Sequence, residues 1–276
     1  MVRENRLFLG NPGTGKSTLI NCLVGQKVFE SGITWGGGLT QEYQKYLVND
    51  VAYMDTPGLA DRSILKQAAE AIKTALSEPG RYKLFFMVRL QAGRVVSDDL
   101  VTIERVLDSI DMDEIPFSIL INNLGKRQYE VMTKMGAEFK SVATLINSGK
   151  YSTPYIFFIP TFKELEEQDN KVITLPTEAV HFIEQRAPAV FIRGGAVSDI
   201  NVSSFEQQTR ELKDQLEAMR QDSMKMMQTL MRLQERYQDA IEKEREYHRK
   251  SMADMRQWQW ELHKQRQKDN DVCAIM

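Results

Sequence analysis

Up to about residue 190 the chain alternates two rhythms. The short runs "RLFLG", "YQKYLV", "VAYMD", "LFFMVR", "FSILIN" and "YIFFIP" predict strands. Between them, apolar positions at helical spacing predict helices over 16–24, 62–77, 97–109 and 128–148, and "PTEAVHFIEQR" predicts one more, opened by Pro176. Strands alternating with helices indicate an α/β domain over residues 1–190, a mostly parallel sheet flanked by helices. Residues 191–202 read as a linker whose flexible point is the Gly194–Gly195 pair.

From 203 to 268 the chain holds no proline and no glycine, and charges of both signs are interspersed. Heptad core positions Phe205, Thr209, Leu212, Leu216, Met219, Ser223, Met226, Leu230, Leu233, Tyr237 and Ala240 are apolar at nine of eleven places, the pattern of a left-handed coiled coil. A one-residue slip restarts the pattern at Ile241, with Met252, Met255 and Leu262 in register and Arg245, His248 and Gln259 interrupting it. The alternative is a shorter helix folded back on the globular part, with the remainder disordered. Trp258 and Trp260, two apart, cannot share one helical face.

Composition narrows the function classes. The 276 residues are 42% hydrophobic and 27% charged, enough for one full core, and the formal net charge of -2 gives no pull toward nucleic acid. Two cysteines, Cys22 and Cys273, exclude a disulfide framework and fit a reducing compartment. The opening "MVRENRLFLG" carries no signal-peptide run and no myristoylation glycine, and no segment is apolar for long enough to cross a bilayer. The three histidines lack metal-ligand spacing.

"GNPGTGKST", residues 10–18, fits G-x-x-x-x-G-K-[ST] with Gly10, Gly15, Lys16 and Ser17, between an apolar strand and a helix start. That pattern suits a polyphosphate. Backbone N–H groups freed of side-chain bulk at Gly13 and Gly15 wrap an anion at the helix N-terminus; Lys16 adds a cation, and the Ser17 hydroxyl is a ligand for Mg2+. The expected nucleotide contacts are Asn11, Gly13, Thr14, Gly15, Lys16, Ser17 and Thr18. In "VAYMDTPGLA" the strand ends in Asp55, a carboxylate for the metal, and Gly58 lets a backbone N–H approach a γ-phosphate. Thr40, 15 positions before Asp55, suits a switch residue that caps the γ-phosphate and metal, with Thr34 as the alternative. The loop alone would also suit an AAA-type ATPase, but the acidic pair expected after that enzyme's second strand is missing.

In the order "GNPGTGKS", Thr40, "DTPGLAD", "LFFMVRLQAGRVVSDD", the chain resembles the septin-like branch of translation-factor-related GTPases, especially the immunity-associated family of membrane-tethered GTPases. "GRVVSDD", residues 93–99, matches that family's G-R-x-[ST]-x-[DE]-[DE] box with one residue inserted, and the resemblance covers roughly residues 5–190. It implies a GTPase using Mg2+, with Lys16, Thr40, Gly58 and Arg94 in catalysis and Ser17, Thr40 and Asp55 at the metal. Guanine in such proteins is read by [NT]-K-x-D. Here "NNLG" puts Asn122 at the first position, Asn123 in place of the lysine and Gly125 in place of the aspartate. Asn122 and Asn123 are the base contacts that the resemblance implies, with Asn123 or Asp169 as the compensating acceptor, and an adenine nucleotide stays open. Leu59 replaces the water-orienting glutamine of Ras-like enzymes, so intrinsic hydrolysis should be slow. Dimerisation across the nucleotide face is the expected stimulus, with Arg94 or Arg89 donated to the partner; a scaffold that hydrolyses nothing is the rival reading.

The tail, 269–276, ends "VCAIM", a C-a-a-X sequence in which Cys273 is the expected farnesyl site. These features together predict a cytoplasmic protein, peripheral on membranes through that lipid, and a homodimer through its G domain and coiled coil.

Overall fold

The computed structural model describes residues 4–32, 38–61, 63–91 and 93–273, with side chains as far as Glu261. All six expected strands form: β1 (Glu4–Leu9), β2 (Gln44–Val48), β3 (Val51–Asp55), β4 (Arg81–Val88), β7 (Ser118–Leu124) and β8 (Ile156–Pro160). They lie in the order β2-β3-β1-β4-β7-β8. β1 pairs in parallel with β3 and β4, β4 with β7, and β7 with β8; β2 alone on this path runs antiparallel, against β3. β4 is buried from Tyr82 to Val88. A strand covered on both faces has no polar side to alternate with, which is why "LFFMV" reads as one unbroken run.

The helices cover the two faces. On one, the apolar stripes of α2 (Leu65–Leu76) and α3 (Ser97–Asp108) join Leu7, Met54 and Phe86 in a single buried cluster. On the other, α1 (Lys16–Val24) contributes Leu19 and Ile20 against Phe8, Phe85 and Leu120. Both loops that follow β1 and β3 leave the same carboxyl edge of the sheet, the edge at which open α/β folds bind ligands.

Three expectations are corrected. The helix expected over 128–148 is two, α4 (Lys126–Thr133) and α5 (Ala137–Ile146), because Met135 takes φ 51° and Gly136 caps the second in extended geometry. The helix opened by Pro176 is α7 (Thr177–His181) followed by a π-turn over Phe182–Arg186, whose Ile183 and Glu184 carbonyls accept from the Lys83 ammonium. A hairpin of β5 (Leu90–Gln91) and β6 (Arg94–Val95), turning at Gly93 with φ 77°, and the short α6 (Lys163–Glu167) went unseen, being too brief to show a period.

The expected linker is also packed structure. β9 (Val190–Phe191) pairs antiparallel with β4, Val197 bridges to Ile110, and Ile192 and Ile200 are buried. One compact unit therefore runs to Met219 and a second from Arg220 onward. The helix α8 (Phe205–Cys273) opens inside the first unit: Phe205 and Leu216 belong to the same buried cluster as α3, and Leu212 packs against it. The heptad pattern foretold a coiled coil from Phe205, yet these first seam residues are spent on the domain's own core. Thr209, among them, has its hydroxyl buried without a hydrogen-bond partner. Beyond them the seam residues Met219, Met226, Leu230, Leu233 and Tyr237 are exposed.

Candidate functional site

At the carboxyl edge a cavity of about 500 Å³ runs from the β1–α1 loop to the segment after β8. Its phosphate end is built from backbone. Gly15 turns the chain into α1 at φ 86°, and a Cβ there would sit 2.5 Å from the Asn122 side-chain nitrogen. Gly58 lies against the loop so closely that a Cβ would come within 2.4 Å of Pro12 Cδ and 2.6 Å of Asn11 Cα. Glycine is dictated at both places by close approach.

Lys16 is buried and donates through Nζ to the carbonyls of Gly10 and Asn11, at 2.8 and 3.4 Å. Burial lowers its pKa, opposed by the nearby charges of Asp55 and Asp99. Ser17 Oγ donates to Asp55 Oδ2 at 2.5 Å, Thr40 Oγ1 donates to the same oxygen at 3.1 Å, and the two hydroxyls are 3.3 Å apart. Three elements thus deliver three oxygens to one point: α1, the segment before β2, and the end of β3. Burial raises the Asp55 carboxyl above the ordinary carboxylate range, against the pull of Lys16 and the two hydroxyls. Two hydroxyls and a carboxylate are hard oxygen donors, a set that fits Mg2+. The alternative switch residue Thr34 lies outside the described residues.

Gly13, Gly15, Lys16, Ser17, Thr18, Thr40, Gly58, Asn122 and Asn123 all line the cavity. Asn11 and Thr14 do not; their side chains scaffold the loop. Thr14 Oγ1 donates to the Asn11 carbonyl at 2.9 Å. Asn11 is fully buried and donates to Asp99 Oδ1 at 2.8 Å, while its Oδ1 accepts from the Ala60 N–H and the Thr102 hydroxyl, each at 3.0 Å. One amide therefore joins the phosphate loop, the segment after Gly58 and α3. Nothing in the loop's own sequence betrays this partnership, since its partners lie 49 to 91 residues away.

The two arginines differ. Arg89 grips Asp99 with Nη2 at 2.8 Å, Nε at 3.1 Å and its backbone N–H at 2.8 Å, and reaches the Pro12 carbonyl at 3.4 Å. Those bonds hold Arg89 within its own chain. Arg94, on β6, is exposed and among the described residues meets the Glu217 carboxylate at 3.8 Å, a distant pair that holds little. Leu59 is buried in the core.

At the other end, Asn122 Nδ2 donates to the Thr14 carbonyl at 3.0 Å, fastening β7 to the phosphate loop. Asn123 sits beside it in the left-handed region, φ 58°, on the bulge of β7. Gly125 carries no side-chain acceptor and caps α4. Lys126 and Arg127 enter that exposed helix and do not line the cavity. Cys22, buried, lines the cavity from α1, and burial raises its thiol pKa. No helix among the described residues is long and apolar enough to cross a membrane.

Comparison with known proteins agrees with this geometry. A family model described as "50S ribosome-binding GTPase" matches residues 5–123. GTPase LSG1-2 of Arabidopsis thaliana is 33% identical over 104 residues, 37% of this chain and 16% of that protein, so the chain spans a small part of that relative's length. The probable GTP-binding protein EngB of Mycoplasmoides gallisepticum is 28% identical over 133 residues, 43% of this chain and 69% of that protein. Among solved structures, Toc33 from Arabidopsis thaliana in complex with GDP and Mg2+ is 18% identical, with 70% of this chain and 89% of that one covered at a TM-score of 0.45. Over residues 5–123, which span the phosphate loop, Asp55 and Asn122, the chain is similar to the family that the matching model describes.

Proposed function

We propose that this chain is a GTP-binding switch or assembling scaffold of the immunity-associated type, which hydrolyses GTP slowly alone and faster as a homodimer. The observation that carries the reading is the convergence of Ser17, Thr40 and Asp55 oxygens behind the Lys16 loop. Ser17, Thr40 and Asp55 would hold Mg2+, which when bound offsets the charge of the β- and γ-phosphates. Lys16, released from the Gly10 carbonyl, turns its ammonium to those phosphates, and Thr40 draws its segment over them.

Slow hydrolysis follows from Leu59, whose buried side chain cannot orient water. Arg94, exposed on its hairpin and weakly held, is the group available to a partner's nucleotide. The exposed seam from Met219 to Tyr237 supports pairing of two copies along α8. A farnesyl group on Cys273 would place the dimer peripherally on a cytoplasmic membrane face, provided Met276 is the free carboxyl terminus in the cell, since a C-a-a-X sequence is read only there. Two lipids on one dimer anchor better than one.

The test is calorimetry of the full chain with GTP and ATP in Mg2+, followed by single-turnover hydrolysis over a range of protein concentrations. GTP should bind more tightly than ATP, and the rate per molecule should climb as the protein dimerises. No turnover at any concentration would favour the second reading, a nucleotide-held scaffold, which the burial of Leu59 also suits. Tighter ATP would overturn the guanine assignment.

A further inference from the structure

Guanine presents two neighbouring donors, N1–H and the 2-amino group, and a carboxylate is the side chain that accepts both. The end of β7 and the residue after it offer none, since Asn122, Asn123 and Gly125 are all neutral. The carboxylates that line the cavity among its described residues are Glu30, Glu166 and Asp169. Glu30 is engaged with Lys27 at 2.6 Å, on the exposed surface. Glu166 rides on the five-residue α6, of which no residue is buried.

Asp169 is held differently. Its carboxylate lies on Gly32, where a Cβ would meet Asp169 Oδ1 at 2.4 Å and Cγ at 2.6 Å, so the absence of a side chain at residue 32 is what gives the acid its seat. The neighbouring backbone is fastened from both sides: Asn170 N–H donates to the Ser31 carbonyl at 2.9 Å and Ser31 N–H to Asn170 Oδ1 at 2.8 Å. The receiving segment is itself clamped by the buried Asn21, which accepts from the N–H groups of Val28 and Phe29 and donates to the Phe29 carbonyl at 2.7 Å. The cavity that Asp169 shares with the phosphate loop is also lined by the apolar Leu19, Ile159, Phe162 and Leu175, side chains suited to a flat ring.

We infer that Asp169 reads the guanine edge, accepting N1–H and the 2-amino group in place of the carboxylate that Gly125 lacks. The inference rests on the GTP reading above. Adenine would set its N1 lone pair against the same carboxylate, so the residue that attracts one base repels the other.

The isosteric Asp169→Asn change tests it in the full chain with Mg2+ and three probes: GTP, xanthosine triphosphate and ATP. An amide keeps one acceptor and gains one donor, which matches xanthine's N1–H and 2-oxo group. The variant should lose about 10- to 100-fold in GTP affinity while xanthosine triphosphate improves and ATP does not weaken. Glu166→Gln should leave the GTP to xanthosine triphosphate ratio unchanged. Equal weakening of all three ligands would reduce Asp169 to a structural part of its loop, and an unchanged ratio in Asp169→Asn, or a shifted one in Glu166→Gln, would overturn the assignment. If GTP outcompetes ATP in the native protein while Asp169→Asn is silent, this inference alone falls; if the native protein binds none of the three, the GTP reading falls with it.

Discussion

The two ends of the cleft are made by different means. At the phosphate end the recognition surface is main chain, shaped by Gly15 and Gly58 and completed by Lys16, Ser17, Thr40 and Asp55. At the other end, the one proposed for the base, it is side chain, drawn from α1, β7, β8 and the segments around Gly32 and Asp169. A phosphate has no edge to read, so a nest of amides suffices, and the nest needs consecutive residues of fixed type. A base is read by a few oriented acceptors, which any neighbouring element can supply.

Removing the phosphate end's buried cation should separate the two most widely. Lys16→Ala is expected to cost about 2–5 kcal/mol in binding of any purine triphosphate, GTP and ATP alike, because the loss lies where both ligands are the same. Calorimetry with both nucleotides checks this; a loss confined to GTP would show that the two ends are not independent.

Smaller is the effect of Asn11→Ala, which leaves the Ala60 N–H without its partner and takes one hydrogen bond each from Asp99, which keeps Arg89, and Thr102, which keeps the Asp98 carbonyl. Unfolding in urea should show a loss of about 1–3 kcal/mol. Nucleotide affinity should fall without change in base preference. A shift in the GTP to ATP ratio would mean that this network reaches the base end.

The smallest effect is a slope with pH. Burial raises Asp55 above the ordinary carboxylate range, so between that range and its own folded value the native chain holds a proton that the unfolded chain has released. Its contribution to stability without ligand is therefore present at low pH and lost as pH rises through the folded value. Taking up Mg2+ with the triphosphate expels that proton, so affinity should climb with pH across the same window by at most about 1.4 kcal/mol per unit. Asp55→Asn should flatten the slope, whereas Asp169→Asn should leave it intact; calorimetry in buffers of different ionisation enthalpy counts the proton directly.

This contrast also explains what could be read beforehand. The sheet was legible because strands buried on both faces leave unbroken apolar runs, as in β4. The phosphate end was legible because its chemistry demands contiguous residues. Asn11 was named for the ligand it adjoins, but its actual partners, Ala60, Asp99 and Thr102, come together only through the fold. Arg89 looked as available as Arg94 because sequence does not show that Asp99 turns back onto it. The split of the helix expected over 128–148 had a visible cause in Gly136, overridden by the apolar spacing on either side of it. On α8 the first seam residues, Phe205, Leu212 and Leu216, are covered by the domain's own core: periodicity predicts that a stripe is covered, never by what.

That last point bears on where this protein can be cut. Phe205 and Leu216 are stones in the vault of the domain as much as the first courses of a rod. Trimming the molecule at its compositional seam near residue 202 would pull those stones out and open a greasy trench beside α3, so the smallest portion able to stand by itself reaches at least to Met219.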